Sequence, residues 1–385
     1  MGVEEEYFIV DPITREAVPD AAAVVARAET WPGGSVSTEF TQQQIEARTA
    51  PYTALGELAG QIRRMRRIAV AAAREEGLRV TATGTPILGD VTPPPIADLP
   101  RYRETTAMFR ALQDGQNICA CHVHVHVPDK TTAILAGNHV RPWLSVLLSM
   151  NANSPYLAGR DTGYSSWRTL SWSGWPVAGP PPFFGSLGHY EDVVGTLLEG
   201  GALKDRRSIF WDVRPSAHLP TLEIRVADVA AGYKETVLFA ALVRALVVLG
   251  VQAVADGDKG PRVPAEILRA AHWRAARDGI EGHGIDVRSG RLRPATMLVD
   301  ALLAHVRPIL ESWGEFDTVT RLWDMLRTRG SGAARQRADY ARHGQLTDVV
   351  DGLIIATDPD QHPEDSLVEV EASERSGDGM VSLGG

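Results

Sequence analysis

Cysteine is nearly missing from this chain: Cys119 and Cys121 are the only two in 385 residues. They stand two apart on what reads as one strand, so their side chains share a face in a geometry poor for a disulfide. That excludes a disulfide-stapled secreted fold and points to reduced thiols in the cytoplasm. No leader is expected either, because Gly2-Val3-Glu4-Glu5-Glu6 follows Met1 where a basic and then apolar leader would lie. A basic excess is likewise absent. The net charge is −9, of which −7 comes from residues 358–385, where eight acidic residues face Arg375 alone; the remainder of the chain is therefore only −2. A nearly neutral body has no surplus of cations with which to displace phosphate counterions, which excludes general nucleic-acid binding. The acidic segment reads as a solvated, disordered tail.

Two motifs are also missing. No G-x-x-x-x-G-K-[ST] loop is present, so a nucleotide would have to be held by metals and arginines rather than by a backbone nest. No G-x-S-x-G elbow is present, which argues against a serine hydrolase. The sequence has one long apolar run, Val237 to Ala255, but it carries Arg244 and Gln252. It reads as a buried core helix rather than a membrane span.

What is present starts with 44% hydrophobic residues, enough to bury a large core. We take residues 1–357 as a single domain and 358–385 as the tail. Residues 2–11 alternate as a strand, and a second extended stretch covers 35–48. From Leu55 to Ala72 the apolar residues recur at helical spacing, with Arg63, Arg64, Arg66 and Arg67 expected mostly on a solvated opposite face. Further strands are expected at 78–85, 117–127, 208–214 and 221–229, with a helix over 131–150. About four helical segments are expected between 257 and 356, with turns near 279–290 and 330–332. With strands dominating the first 230 residues and helices the rest, the pattern predicts an α+β protein built on an antiparallel sheet.

Glu4 and Glu6 are two apart on the first strand and leave one face together, while Val3, Glu5 and Tyr7 take the other. Two such carboxylates suit either an exposed charged edge or a site that holds a cation between them. Glu39 and Glu46 lie on the second extended stretch. Glu223 lies on a later strand, where it shares a face with Arg225, and a cross-strand salt bridge is its simpler reading. Asp212 and Arg214 share a face by the same alternation. His122, His124 and His126 also share a strand face, which suits packing, a zinc site and hence a zinc hydrolase, or a place among the glutamates. A carboxylate-rich set favours a hard cation such as magnesium, and Arg168, Arg214 and Arg225 would add fixed positive charge for an anion. Together these residues point to phosphoryl transfer.

Several segments carry a resemblance. Gly2-Val3-Glu4-Glu5-Glu6-Tyr7, Thr38-Glu39-Phe40 with Glu46, Cys121-His122-Val123-His124-Val125 and Asn151-Ala152-Asn153-Ser154-Pro155 occur in order, followed by Gly163 to Arg168, Asp212-Val213-Arg214-Pro215 and Leu222 to Asp228. Trp273 to Arg277 and Gly332 to Arg337 complete the set. Over residues 2–356 this resembles the carboxylate-amine ligase branch of the type 2 glutamate-cysteine ligases.

The resemblance implies a curved antiparallel sheet of the glutamine synthetase catalytic type, backed by helices. It further implies ATP-dependent activation of a carboxylate, glutamate first, as an acyl phosphate that an amine attacks, with glutamate-cysteine ligase activity or with another acceptor in specialised metabolism or peptide tailoring. Glu4, Glu6, Glu39, Glu46, His122 and Glu223 fall at metal positions for about two or three magnesium ions, with manganese as a substitute. Arg225 and Glu46 would carry catalysis, while Arg168, Arg214 and Asn153 would bind substrate. No protein nucleophile is required, and Asp212 or Asp228 are candidates to take the proton of the amine. Relatives suggest a homodimer with small-molecule partners, and neither nucleic acid nor membrane.

Overall fold

A computed structural model describes residues 1–32, 35–89 and 92–361. Its centre is a seven-stranded sheet whose strands, among the described residues, pair antiparallel. Strand β1 (Gly2–Val10) runs through the middle, β2 (Val36–Thr38) and β3 (Gln44–Arg48) form a hairpin, and β4 (Arg79–Thr81) and β5 (Ala120–His126) follow. The last two are β6 (Val213–Pro215) and β7 (Thr221–Asp228). The order across the sheet is β6-β7-β5-β1-β3-β2, and β4 joins the far end of β1. The extended stretch expected over 35–48 is thus two strands, turned over between Glu39 and Gln43.

Alternation sorts the two faces. Val3, Cys121, Val123, Val125, Leu222 and Ile224 are buried against helices α2 (Leu55–Glu75) and α8 (Tyr233–Ala255) and their neighbours. Glu4, Glu6, Glu46 and His122 take the opposite face. Helix α8 is long and apolar enough to span a bilayer, yet it lies inside the core, buried from Glu235 to Val247. Each such Leu, Val or Phe contributes about 2 kcal/mol when it is withdrawn from water. Arg244 is accommodated by an ion pair with Glu315 and by the Trp313 ring, 3.9 Å from its guanidinium carbon.

The arginine-bearing face of α2 is only partly solvated. Arg66 is fully buried and donates to Glu5 at 2.5 and 3.1 Å, while Tyr7 and Thr236 donate to the same carboxylate at 2.7 Å each. The helix expected over 131–150 is broken into α4 (Lys130–Val140), a 3-10 turn at Arg141–Trp143 and α5 (Leu144–Met150). Pro142 lacks the N–H that would carry the α-helix through. Helices are also more frequent in the first 230 residues than the apolar spacing suggests, with short amphipathic segments at Ala21–Ala28, Pro100–Phe109, Trp167–Trp172 and Leu187–Glu199.

Among the described residues after 257 there are five helices rather than about four, and the expected turn over 279–290 contains a hairpin, His283–Asp286 with Arg291–Pro294. Both cysteines are free and buried. The first residues of the acidic segment pack on the body: Asp358 is buried and accepts from Arg74 at 2.6 Å, and Asp360 pairs with Arg67. The rest of the expected tail lies outside the described residues.

Candidate active site

The sheet register brings the acidic strands together. Glu6 lies opposite Glu46 across β1 and β3, and Glu4 lies opposite His122 across β1 and β5. Glu39, at the turn between β2 and β3, completes the group. The ligand atoms of Glu6, Glu39 and Glu46 lie within 4.8 Å of one another, as do those of Glu4, Glu46 and His122. Glu46 therefore belongs to both sets. These residues line a cavity of about 330 Å³ that Arg168, Arg214 and Arg225 also line.

The electrostatics are those of a site short of positive charge. Burial, then the charge of Glu39, pushes Glu6 up to about 8. Burial and the surrounding carboxylates raise Glu46 as well, and burial raises Glu39 against a hydrogen bond from the Phe40 amide. Burial also acts on Glu4, but hydrogen bonds from His122 and His124 outweigh it and hold this carboxyl well below the usual range. Burial and then Arg225 lower His122 to about 4, so its ring is neutral at physiological pH.

The Nε2 atom of His122 is buried with no hydrogen-bond partner among the described residues, 4.0 Å from Glu6 Oε1. A neutral, unpartnered imidazole nitrogen among crowded carboxylates fits a divalent cation. The donors are mostly carboxylate oxygens, which suits magnesium or manganese better than zinc. The three-histidine zinc arrangement does not assemble: His126 is exposed and His124 Nδ1 contacts Thr221 Oγ1 at 3.0 Å.

The family model for glutamate-cysteine ligase family 2 matches residues 1–352. The chain belongs to this family. Among similar members, the protein provisionally named glutamate-cysteine ligase 2-1 of Saccharopolyspora erythraea is 47% identical over 365 residues, covering 94% of this chain and 96% of that one. A protein of Nocardia farcinica with the same provisional name is 42% identical and covers 93% of each chain.

The fold matches the glutamate-cysteine ligase of Francisella tularensis, solved with AMP, with a TM-score of 0.64, 10% identity and coverage of 99% of this chain and 95% of that one. It also matches a bifunctional glutathione synthetase of Pasteurella multocida with a TM-score of 0.67 and 13% identity, over 94% of this chain and 52% of that one. The protein is accordingly an ATP-dependent carboxylate-amine ligase.

Within this family-2 ligase, some expected site residues stand apart from the carboxylate cluster. Glu223 is clamped between two guanidinium groups, accepting from Arg214 Nε at 2.8 Å and from Arg225 Nη1. Its carboxyl is held well below the ordinary range, since Arg225 and Arg214 outweigh burial. Its simpler sequence reading, a salt bridge, describes the arrangement seen.

Asn153 does not line the cavity. Its amide donates to the carbonyls of Ala82 and Val229 at 2.9 and 2.8 Å, and its Oδ1 accepts from Gln336 at 2.8 Å. It fastens the loop after α5 to the strands. Asp212 does not sit with Arg214 in the cavity; it lies 3.1 Å from His272 Nε2. Asp228 accepts from Ser154, Ser166 and the Asn153 amide at 2.7, 2.8 and 2.9 Å. Neither aspartate is placed to take a proton from an amine in the cavity.

Arg168 lines the cavity from the first turn of α6 (Trp167–Trp172). Two of its nitrogens donate to the carbonyls of Arg225 and Val226 at 3.1 and 3.4 Å, Nη1 lies 3.7 Å from the buried Asp228 Oδ1, and the buried Nε has no hydrogen-bond partner among the described residues. The sequence reading missed a second part of the cavity: Tyr102, Gln113, Gln116, Trp172, Trp175 and Phe210. The only sequence signal for it is the density of tryptophan between 167 and 175.

Proposed function

We propose that this cavity activates glutamate with ATP and magnesium and condenses it with an amine. The observation that carries the reading is the convergence of Glu4, Glu6, Glu39, Glu46 and His122 on one cavity that Arg168, Arg214 and Arg225 also line. The chemistry that magnesium supplies when bound is neutralisation of phosphoryl charge. Glu4, Glu6, Glu39, Glu46 and His122 would hold it, with Glu46 shared between two positions.

The chain's own groups account for the rest. Arg225 keeps its charge because the neighbouring Glu223 outweighs its burial, and its buried Nε is unpartnered. It would bind phosphoryl oxygens, with Glu223, itself held by Arg214, keeping it in position. Arg168 orients the carboxylate substrate. A carboxylate oxygen attacks the γ-phosphorus, the bond from that phosphorus to the β-phosphate oxygen breaks, and ADP leaves with the electron pair. The amine nitrogen then attacks the acyl carbon, the carbon-oxygen bond to phosphate breaks, inorganic phosphate leaves, and the proton of the amine passes to solvent. No protein nucleophile takes part.

ADP release with magnesium, ATP, glutamate and a panel of amines that includes cysteine tests the reading. Trapping with hydroxylamine reports the activated carboxylate independently of the natural amine. If neither ADP nor hydroxamate forms with any carboxylate, the reading is wrong. A second reading, ligation to an acceptor other than cysteine, is favoured by the aromatic part of the cavity.

A further inference from the structure

The cavity has two kinds of lining, and only the acidic one belongs to phosphoryl transfer. The other is built where α6 meets the turn after α3 (Pro100–Phe109). Trp172 lies one helical turn beyond Arg168 on α6, so the two share a face. The Trp175 ring packs at 4.5 Å from Phe109, 5.0 Å from Phe210 and 5.6 Å from Trp172, centroid to centroid. Beside these rings lie Gln113 and Gln116, 2% and 5% exposed.

Both glutamines hold a buried side-chain oxygen that has no hydrogen-bond partner among the described residues, and the indole N–H of Trp175 is in the same state. The orientation of Gln116 is fixed, because its Nε2 donates to Leu112 O at 3.4 Å and to Ser171 O at 3.1 Å. The oxygen is therefore the end left over. A buried acceptor without a donor is destabilising. Two such acceptors and one indole donor, on residues that line a cavity with room for a ligand, suit a molecule that brings N–H groups and a polar atom to accept from Trp175.

We propose that Gln113, Gln116, Trp172 and Trp175 form the acceptor subsite of the ligase, built for a primary amine carried on an apolar or aromatic body rather than on a thiol side chain. This rests on the reading that Arg168 holds the carboxylate substrate. The amine must reach the acyl carbon from the side of that substrate, and Trp172 is on the same helix as Arg168. Uncharged amide oxygens suit an attacking nitrogen. They accept N–H bonds from the ammonium and from the free amine alike, whereas a carboxylate there would favour the ammonium, which cannot attack. Indole faces supply stacking area for the body of the amine and attraction for its charge before deprotonation.

The test uses the full chain with magnesium, ATP and glutamate, and compares cysteine, methylamine and 2-phenylethylamine by ADP release. The subsite predicts a kcat/KM for 2-phenylethylamine about tenfold above that for cysteine. Gln113→Leu removes one acceptor and is expected to raise the KM for 2-phenylethylamine about tenfold, with the KM values for ATP and glutamate moving less than about twofold. Gln116→Leu should act in the same direction, but it also frees two carbonyls, so its melting temperature is measured alongside; Gln113→Leu carries the test if that variant is unstable. A preference for cysteine overturns the proposal. So does a rise in the KM for ATP in place of the amine, which would assign the rings to the adenine base. Hydroxamate formation in the wild-type protein separates the two readings. Its absence removes the ligase reading and the subsite with it, and its presence beside either contrary result removes the subsite alone.

Discussion

Glu6 and Glu46 face each other directly across β1 and β3. Like charges at a cross-strand position are destabilising, and here burial adds to the cost. Glu6 is raised from 4.5 to about 8. A carboxyl with a raised folded-state value keeps a proton that the unfolded chain has already released, so its contribution to stability is lost as pH rises from 4.5 toward 8. Glu39 and Glu46 shift in the same direction. His122, lowered from 6.5 to about 4, acts oppositely but only below 6.5. The metal-free protein should therefore lose melting temperature between about pH 6.5 and pH 8, and magnesium should restore more of it at the upper end. Magnesium binding at about pH 7 should release protons, measurable by calorimetry in two buffers of different ionisation enthalpy. A melting temperature in chelator that is flat or rising over this window would refute the assignment.

Glu46→Gln separates stability from function. Replacing the carboxylate common to both ligand sets removes repulsion with Glu6, Glu39 and Glu4, which outweighs the pair with half-exposed Arg48 that is lost as well, so the metal-free variant should be about 1 kcal/mol more stable at about pH 8. ADP release should fall by about two orders of magnitude or more. Urea unfolding in chelator gives the first quantity and a coupled ADP assay the second. A variant that is both less stable and still active would place Glu46 outside the cation site.

The division between what the sequence shows and what it hides has a physical basis here. The period of two along β1, β5 and β7 places Glu4 with Glu6, His122 with His124, and Glu223 with Arg225, because alternation is a local property. Which strands are neighbours is not local, and only the fold shows that Glu6 meets Glu46 while Glu223 meets two arginines. Arg66 reads as a surface residue because three other arginines surround it in sequence; its burial depends on Glu5, 61 positions away. The aromatic half of the cavity comes from short helices and loops with weak periodicity, and it was missed for that reason.

The Arg66–Glu5 pair holds α2 to the sheet with no solvent contact on the arginine side. Removing one partner leaves a buried charge, so Arg66→Met should cost about 3–5 kcal/mol in urea unfolding. Arg66→Met with Glu5→Gln should recover part of that loss, since neither charge then remains. A double variant no more stable than Arg66→Met alone would show that the hydrogen bonds of Glu5 with Tyr7 and Thr236, rather than its charge pairing, dominate.

Asn153 and Arg168 both belong to segments that carry the family resemblance, yet the structure gives them different work. The three side-chain hydrogen bonds of Asn153 all go to the protein interior, so Asn153→Ala should lower stability by about 3 kcal/mol and leave the KM for glutamate within about twofold. Arg168 lines the cavity and has a spare donor at Nε. Arg168→Lys keeps the charge but loses the planar fork, so the KM for glutamate should rise about tenfold, and the melting temperature should also fall because the bonds to the Arg225 and Val226 carbonyls are weakened. Steady-state kinetics and thermal melts on the two variants decide between the roles. The reverse pattern, with glutamate affinity lost in Asn153→Ala and kept in Arg168→Lys, would return Asn153 to the substrate site and make Arg168 a structural residue.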